Sequence, residues 1–168
     1  MTTISQLQMA YSAEEDRILL RVNTDTAEEF RFWLTRRFAI LLMQALEAHR
    51  AADPDIASQV TEPARQAVEA FKEQAANAQG NFDDAFKPSH EFPLGETPVL
   101  AYKLTYRVED GHLKLAIEPR SGQGIRLVLN AQLNFNVTSL LKSACEKGDW
   151  GLAVEQGEPH EPESRVIN

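Results

Sequence analysis

The sequence lacks almost everything that would announce a chemistry. Cys145 is its only cysteine in 168 residues, so no internal disulfide can form. Its expected place on an amphipathic helix reads as a small buried hydrophobe rather than a nucleophile. The longest unbroken apolar run is Phe38 to Met43, far short of the roughly 20 residues that cross a bilayer. The opening residues Met1 to Gln6 carry neither the positive start nor the apolar stretch of a secretory signal, so a cytoplasmic location and no membrane partner are expected. His49, His90, His112 and His160 are scattered with no zinc spacing. There is no G-x-S-x-G elbow, and Gly122-Gln123-Gly124 precedes a strand rather than a helix, which makes it a hairpin loop and not a phosphate cradle. No metal, cofactor or catalytic residue is expected, and enzymatic activity ranks last among the functional classes.

What is present belongs to a globular domain. Hydrophobic content of 43% and charged content of 25% are enough to bury a core in one domain of this length. The net charge of −8 argues against a polyanionic partner, yet the charge is unevenly placed. Residues 1–46 and 97–144 together hold 9 acidic and 11 basic side chains, residues 47–96 hold 10 and 4, and residues 145–168 hold 6 and 2. The acidity lies outside the two segments expected to form the core.

Those two segments follow one grammar. Leu7, Met9 and Tyr11 alternate with polar or small neighbours, the turn at Glu14-Glu15-Asp16 follows, then Ile18, Leu20 and Val22 alternate with Arg17, Leu19 and Arg21. After Asn23-Thr24-Asp25 come Phe30, Phe32 and Leu34, with Arg31 and Trp33 of opposite parity. This predicts a three-stranded antiparallel meander, and Thr35 is placed to cap a helix from Arg36 to about Ala52. Later, Leu100, Tyr102, Leu104 and Tyr106 alternate, Asp110-Gly111 makes a hairpin turn, Leu113, Leu115 and Ile117 alternate, and Ile125, Leu127 and Leu129 follow. Asn130 then caps a helix to about Lys147 that Gly148 is expected to end. A shift of 95 residues superposes Ile18 on Leu113, Phe30 on Ile125, Thr35 on Asn130 and Leu46 on Leu141, with no gap. Six of the 43 compared positions are identical, so the repeat lies in apolar phase, turn position and cap rather than in identity.

Between the units, Thr61-Glu62-Pro63 opens a further helix, on which Ala64, Ala67, Val68, Phe71 and Ala75 follow helical spacing up to Gly80. Residues 80–98 read as an irregular connection, with Phe82, Phe86 and Phe92 suggesting that parts of it dock on the body. The expected fold is α+β: two pseudo-symmetric β-β-β-α units (4–52 and 99–150) with antiparallel sheet or sheets packed on helices, a connecting helix and loop at 53–98, and an acidic tail at 151–168. The first helix is apolar on more than one side, so it should be buried both by its own sheet and by another helix or a partner. In outline this layout resembles the paired repeats of the PUR and Whirly single-strand-binding folds over roughly residues 4–52 and 99–147. The likeness is one of layout: those families have four strands per repeat where three are read here, none of their motifs is present, and no residue role is carried over.

The outward parity of the strands collects Arg17, Arg21, Arg31, Trp33, Lys103, Arg107, Lys114 and Arg126. Of these, Arg21, Arg31, Trp33, Lys103, Arg107, Lys114 and Arg126 form the candidate binding surface. Cations beside an aromatic platform suit a single-stranded nucleic acid, while lysine and arginine on outer strands also simply discourage edge pairing. Arg36-Arg37 oppose the dipole of the first helix, and Glu14-Glu15-Asp16 reads as a solvated turn rather than a metal site. Two functions follow. The first is a non-enzymatic assembly or adaptor protein, self-associating or engaging another protein through the apolar first helix, Trp33 or the acidic arm. The second is a single-stranded DNA or RNA binder using the basic sheet face.

Overall fold

In the computed structural model, residues 2–80 and 85–151 are described. Phe82 and the acidic tail beyond Gly151 therefore lie outside the described residues. Strands β1 (Ile4–Ser12), β2 (Arg17–Thr24) and β3 (Glu29–Leu34) are followed by helix α1 (Arg36–Ala51). The short α2 (Pro54–Ala57) and the long α3 (Glu62–Gln79) come next. Then β4 (Val99–Leu100), β5 (Lys103–Glu109), β6 (His112–Glu118) and β7 (Ile125–Leu129) lead into α4 (Ala131–Lys147). The protein is α+β, with two β-β-β-α units and a helix inserted between them, as the alternation and caps predict.

The apolar phase sets the register. Ile18 faces Leu34, Leu20 faces Phe32 and Val22 faces Phe30, while Leu113 faces Leu129, Leu115 faces Leu127 and Ile117 faces Ile125. All twelve belong to one buried cluster, and burying each contributes about 1.5–3 kcal/mol. The caps do as their side chains allow. Thr35 Oγ1 accepts the Phe38 amide at 3.2 Å, and Asn130 Oδ1 accepts that of Leu133 at 2.8 Å. Asp110 and Gly111 adopt φ of 51° and 74°, the paired left-handed turn that fits a twisted hairpin.

Among the described residues the sheets are two, in the orders β1-β2-β3-β4 and β5-β6-β7. They are tied at both edges in matching fashion. The chain from Val99 runs parallel to β3, pairing with Phe32 and Trp33, then crosses over so that Tyr102 N–H bonds Glu118 O. At the opposite edge Thr2 pairs in parallel with Leu127. Both crossing strands must slip phase to change partners. β1 has a register shift between Ile4 and Gln6, and the second crossing strand breaks at residues 101–102, with Ala101 buried and Leu100 and Tyr102 exposed. The unbroken alternation from Leu100 to Tyr106 read in the sequence is corrected accordingly.

The helices correct a second expectation. α1 is buried on two sides, but it rests on α4 and on β5 and β6 of the other unit more than on its own β3, and α4 likewise rests on β1 more than on its own β7. The units therefore interlock, each closing its partner's sheet, with Leu46 and Leu141 both fully buried. The apolar character of α1 is consumed internally, and α1 does not present the docking face suggested by its composition.

Helix α4 ends at Gly148, whose φ is −83°; the left-handed residue is Asp149, φ 52°. Glycine is needed at 148 for space, since a Cβ there would lie 2.8 Å from the Tyr11 ring. That ring stands edge-on to Trp150 at 5.7 Å. Asp16 accepts the Tyr11 hydroxyl at 2.6 Å and the Trp150 indole N–H at 3.3 Å. These bonds hold the Asp16 carboxyl below its ordinary pKa and give the acidic turn an internal role.

Candidate functional site

On the outer face of the first sheet, Arg21 and Arg31 are directly opposed, and their charge is already answered. Glu29, on the same face, has a fully buried side chain and takes Arg21 Nε at 2.8 Å and Arg31 Nε at 2.6 Å on one oxygen. Its other oxygen accepts the Ser89 amide at 3.3 Å. Burial alone would raise the Glu29 pKa, but the hydrogen bonds from Arg31, Arg21 and Ser89 outweigh it and hold the carboxyl below its usual range.

A strap formed by residues 85–96 covers this cluster. Phe86 lies 4.0 Å from the Arg21 guanidinium and Phe92 lies 4.7 Å from that of Arg31. Arg31 also donates to Glu96 O at 2.9 Å. The Gln6 side chain bonds Ala85 O and Lys87 N–H, and Asn23 Nδ2 donates to Lys87 O at 2.5 Å. The strap's docking through Phe86 and Phe92 matches the sequence reading.

The other candidate residues are placed apart from this pair. Arg107 and Lys114 are opposed on the second sheet and share Glu109, with Arg107 at 2.7 Å. Lys114 and Arg107 together pull the Glu109 pKa down. Lys103 pairs with Glu118 at 3.6 Å. Arg126 lies across from Ala116, is exposed, and has no ion-pair partner among the described residues. Trp33 is half-buried between Leu19 and Leu100. The seven residues thus do not form one basic patch: two are covered, three are paired with carboxylates, and Arg126 and Trp33 sit on different sheets.

Helix α3 carries a surface that the sequence pattern did not single out. Three of its charged residues turn inward, while Glu62 and Arg65 in its first turn stay exposed and pair with each other at 3.7 Å. Glu69 meets Arg50 at 2.8 Å, Lys72 meets Asp53 at 2.8 Å and Asp55 at 2.7 Å, and Glu73 meets Lys142 at 4.0 Å. The Asp53 and Asp55 hydrogen bonds raise the Lys72 pKa. The opposite side, formed by Ala67, Ala70, Phe71, Gln74, Ala75, Ala78 and Gln79, is exposed and has no charge. Phe71 is 72% exposed and Val60, just before the helix, 91%. Of the five residues read at helical spacing, Ala64 and Val68 are half-buried while Ala67, Phe71 and Ala75 face solvent. The ordinary arrangement of an amphipathic helix, polar out and apolar in, is reversed over these turns.

Where α1 and α4 cross, the core is polar. Arg50, Asn134 and Thr138 are buried, with Arg50 Nη1 bonding Asn134 Oδ1 at 3.0 Å and Thr138 Oγ1 at 2.6 Å. Asn134 Nδ2 donates to Leu46 O and to His49 Nδ1, leaving His49 Nε2–H to donate to Gly111 O at 2.9 Å. Every member is partnered, so the network reads as a lock on the interunit crossing.

Among the described residues no group of His, Cys, Asp and Glu is arranged to hold a metal ion, and no helix is long and apolar enough to cross a membrane. No protein family, curated protein or solved structure matches the chain.

Proposed function

We propose that this is a non-enzymatic assembly or adaptor protein that acts through protein–protein contacts and pairs with a second copy of itself through the outer face of α3. The observation carrying this reading is the uncharged face around Phe71 on a chain of net charge −8. An exposed aromatic set among alanines, with Glu69, Lys72 and Glu73 spent on ion pairs to other elements, is what a helix–helix contact requires. Phe71 lies at the middle of Glu62–Gln79, so a two-fold antiparallel pairing of α3 with its copy brings the two phenylalanines together and the alanines allow close approach. No charge on either face opposes the match. The single free and buried Cys145 supports a cytoplasmic setting.

Light scattering on a sizing column tests this. The wild type should move with concentration from 18.8 kDa toward twice that mass, and Phe71→Glu should remain at 18.8 kDa with an unchanged melting temperature. A wild type that stays monomeric at every concentration would sink self-association.

A second reading, single-stranded nucleic-acid binding, is favoured by one feature: Leu100 and Tyr102 are exposed beside half-buried Trp33 and next to Lys103, a small stacking platform. Salt-sensitive binding of a labelled oligonucleotide, lost on Tyr102→Ala, would support it. The pairing of most nearby cations with carboxylates weighs against it.

A further inference from the structure

Strand β5 lies at the edge of the second sheet, and among the described residues no backbone hydrogen bond reaches its outer side. Thr105, Tyr106 and Arg107 at its middle are exposed. An open edge is a template for another strand, so it is either guarded or paired. The matching edge of the first unit is covered at the corresponding point. Tyr11, the counterpart of Tyr106 under the 95-residue shift, packs against Trp150 and bonds Asp16. The counterpart of Trp150 is Asp55, which pairs with Lys72 instead. Tyr106 shares the core-facing side of β5 with Leu104 and Val108, yet it keeps 38% exposure and has no aromatic partner among the described residues. The apolar layer ends uncovered there.

The residues of β5 also complement themselves. Tyr106 is the central residue of Lys103–Glu109, and a two-fold axis through it sets two antiparallel copies fully in register with their outer faces continuous. Lys103 then opposes the partner's Glu109, Leu104 opposes the partner's Val108, and Tyr106 opposes its own copy. Moving the axis by one residue destroys the match. At Thr105 it sets Lys103 against Arg107, and at Arg107 it sets that arginine against itself. Both members of the new ion pair have capacity for it. Lys103 Nζ stands 3.6 Å from Glu118, beyond hydrogen-bond length. The two cations on Glu109 both meet Oε2, which leaves Oε1 with no partner among the described residues.

We propose that β5 pairs edge to edge, antiparallel, with β5 of a second copy about a two-fold axis at Tyr106. The pairing joins the second sheets of two copies into one continuous sheet and covers both tyrosines. Its cross-strand ion pairs fix the register. This contact is separate from that of α3, and the two together extend assembly beyond a dimer. One strand edge is small beside the roughly 1,200–2,000 Å² of stable interfaces, so covalent trapping reads it better than mass.

The test is disulfide trapping of the full chain under mild oxidation, read on a denaturing gel, with and without Phe71→Glu. Cys145 is buried and does not compete. Tyr106→Cys should give a covalent dimer in both backgrounds, which separates this contact from that of α3. Directly opposed residues lie about 4.5–5.5 Å apart and suit a disulfide, whereas position 105 meets its own copy only on the diagonal at about 7–8 Å. Thr105→Cys, equally exposed, should therefore trap at least about tenfold more slowly. Adding Lys103→Glu or Glu109→Lys to Tyr106→Cys sets like charges opposite one another and should slow trapping at least about fivefold. Mixing those two double variants restores opposite charges across the mixed pair, so the mixture should trap faster than either alone, a recovery that a folding defect cannot give. Equal trapping from positions 105 and 106, trapping lost with Phe71→Glu, or a mixture no faster than its components would each overturn the proposal.

Discussion

Glu29→Gln is the most informative single substitution on the outer sheet face. It keeps the shape of a side chain with no exposed surface but removes the charge that Arg21 and Arg31 share at 2.8 and 2.6 Å. Removing one partner of a fully buried pair costs about 3–5 kcal/mol. Here the two arginines retain 22% and 23% exposure, so solvent recovers part of that, and about 2–3 kcal/mol is expected. With a urea slope of about 1–3 kcal/mol/M, the unfolding midpoint at pH 7 should fall by about 1–2 M. The Ser89 amide, which donates to Glu29, should exchange faster with solvent. The pH dependence has a definite sign. The folded pKa of Glu29 is lowered, so its contribution is fully present above the unfolded value of about 4.3 and is lost as pH falls through the lower folded value. Wild type and variant should therefore converge below about pH 4, because other carboxylates titrate alike in both and cancel. A midpoint shift under about 0.3 M, or a difference that stays constant from neutral to acid pH, would refute the claim that Glu29 neutralises this face.

Two further substitutions and one reaction test the packing. Gly124→Ala puts a Cβ 1.9 Å from Ile117 O, a clash with backbone that no rotamer relieves; it should cost at least about 2–3 kcal/mol in a thermal or urea melt. Gly122→Ala, at φ +90° in open space, should cost only about 1 kcal/mol, and the reverse ranking would contradict the described turn. Cys145 is 4% exposed, and burial pushes its pKa up to about 11. In a disulfide-exchange reagent at pH 8 the folded chain should react at least about a hundredfold more slowly than the urea-unfolded one; equal rates would place the thiol at the surface.

Much of this fold was legible because strand alternation and helix capping are local. Thr35 and Asn130 declare their caps by side-chain chemistry, and Ile18, Phe32, Leu113 and Leu127 declare their faces by parity. The crossing of each helix to the other unit's sheet was not legible, since an apolar stripe records that a face is buried and not by what. The phase slip at residues 101–102 belongs to the same class, arising where one strand exchanges β3 for β6. For the candidate surface, parity placed Arg21 and Arg31 outward correctly. It also placed Glu29 on that same face, a signal that outward charges would neutralise one another. The helix α3 misled for an electrostatic reason: Arg50, Asp53 and Lys142, scattered in sequence, draw Glu69, Lys72 and Glu73 inward and leave Phe71 outside.

The central claim is that partner contact occurs on the outer side of α3 and not on the cationic strand faces. A benzophenone photo-cross-linker placed singly at position 71 or at position 126, in otherwise native full-length protein, addresses this directly. Irradiation should yield a covalent dimer from position 71, with the link mapped to α3 of the second copy, and none from position 126. Cross-linking from 126 with none from 71 would contradict the account.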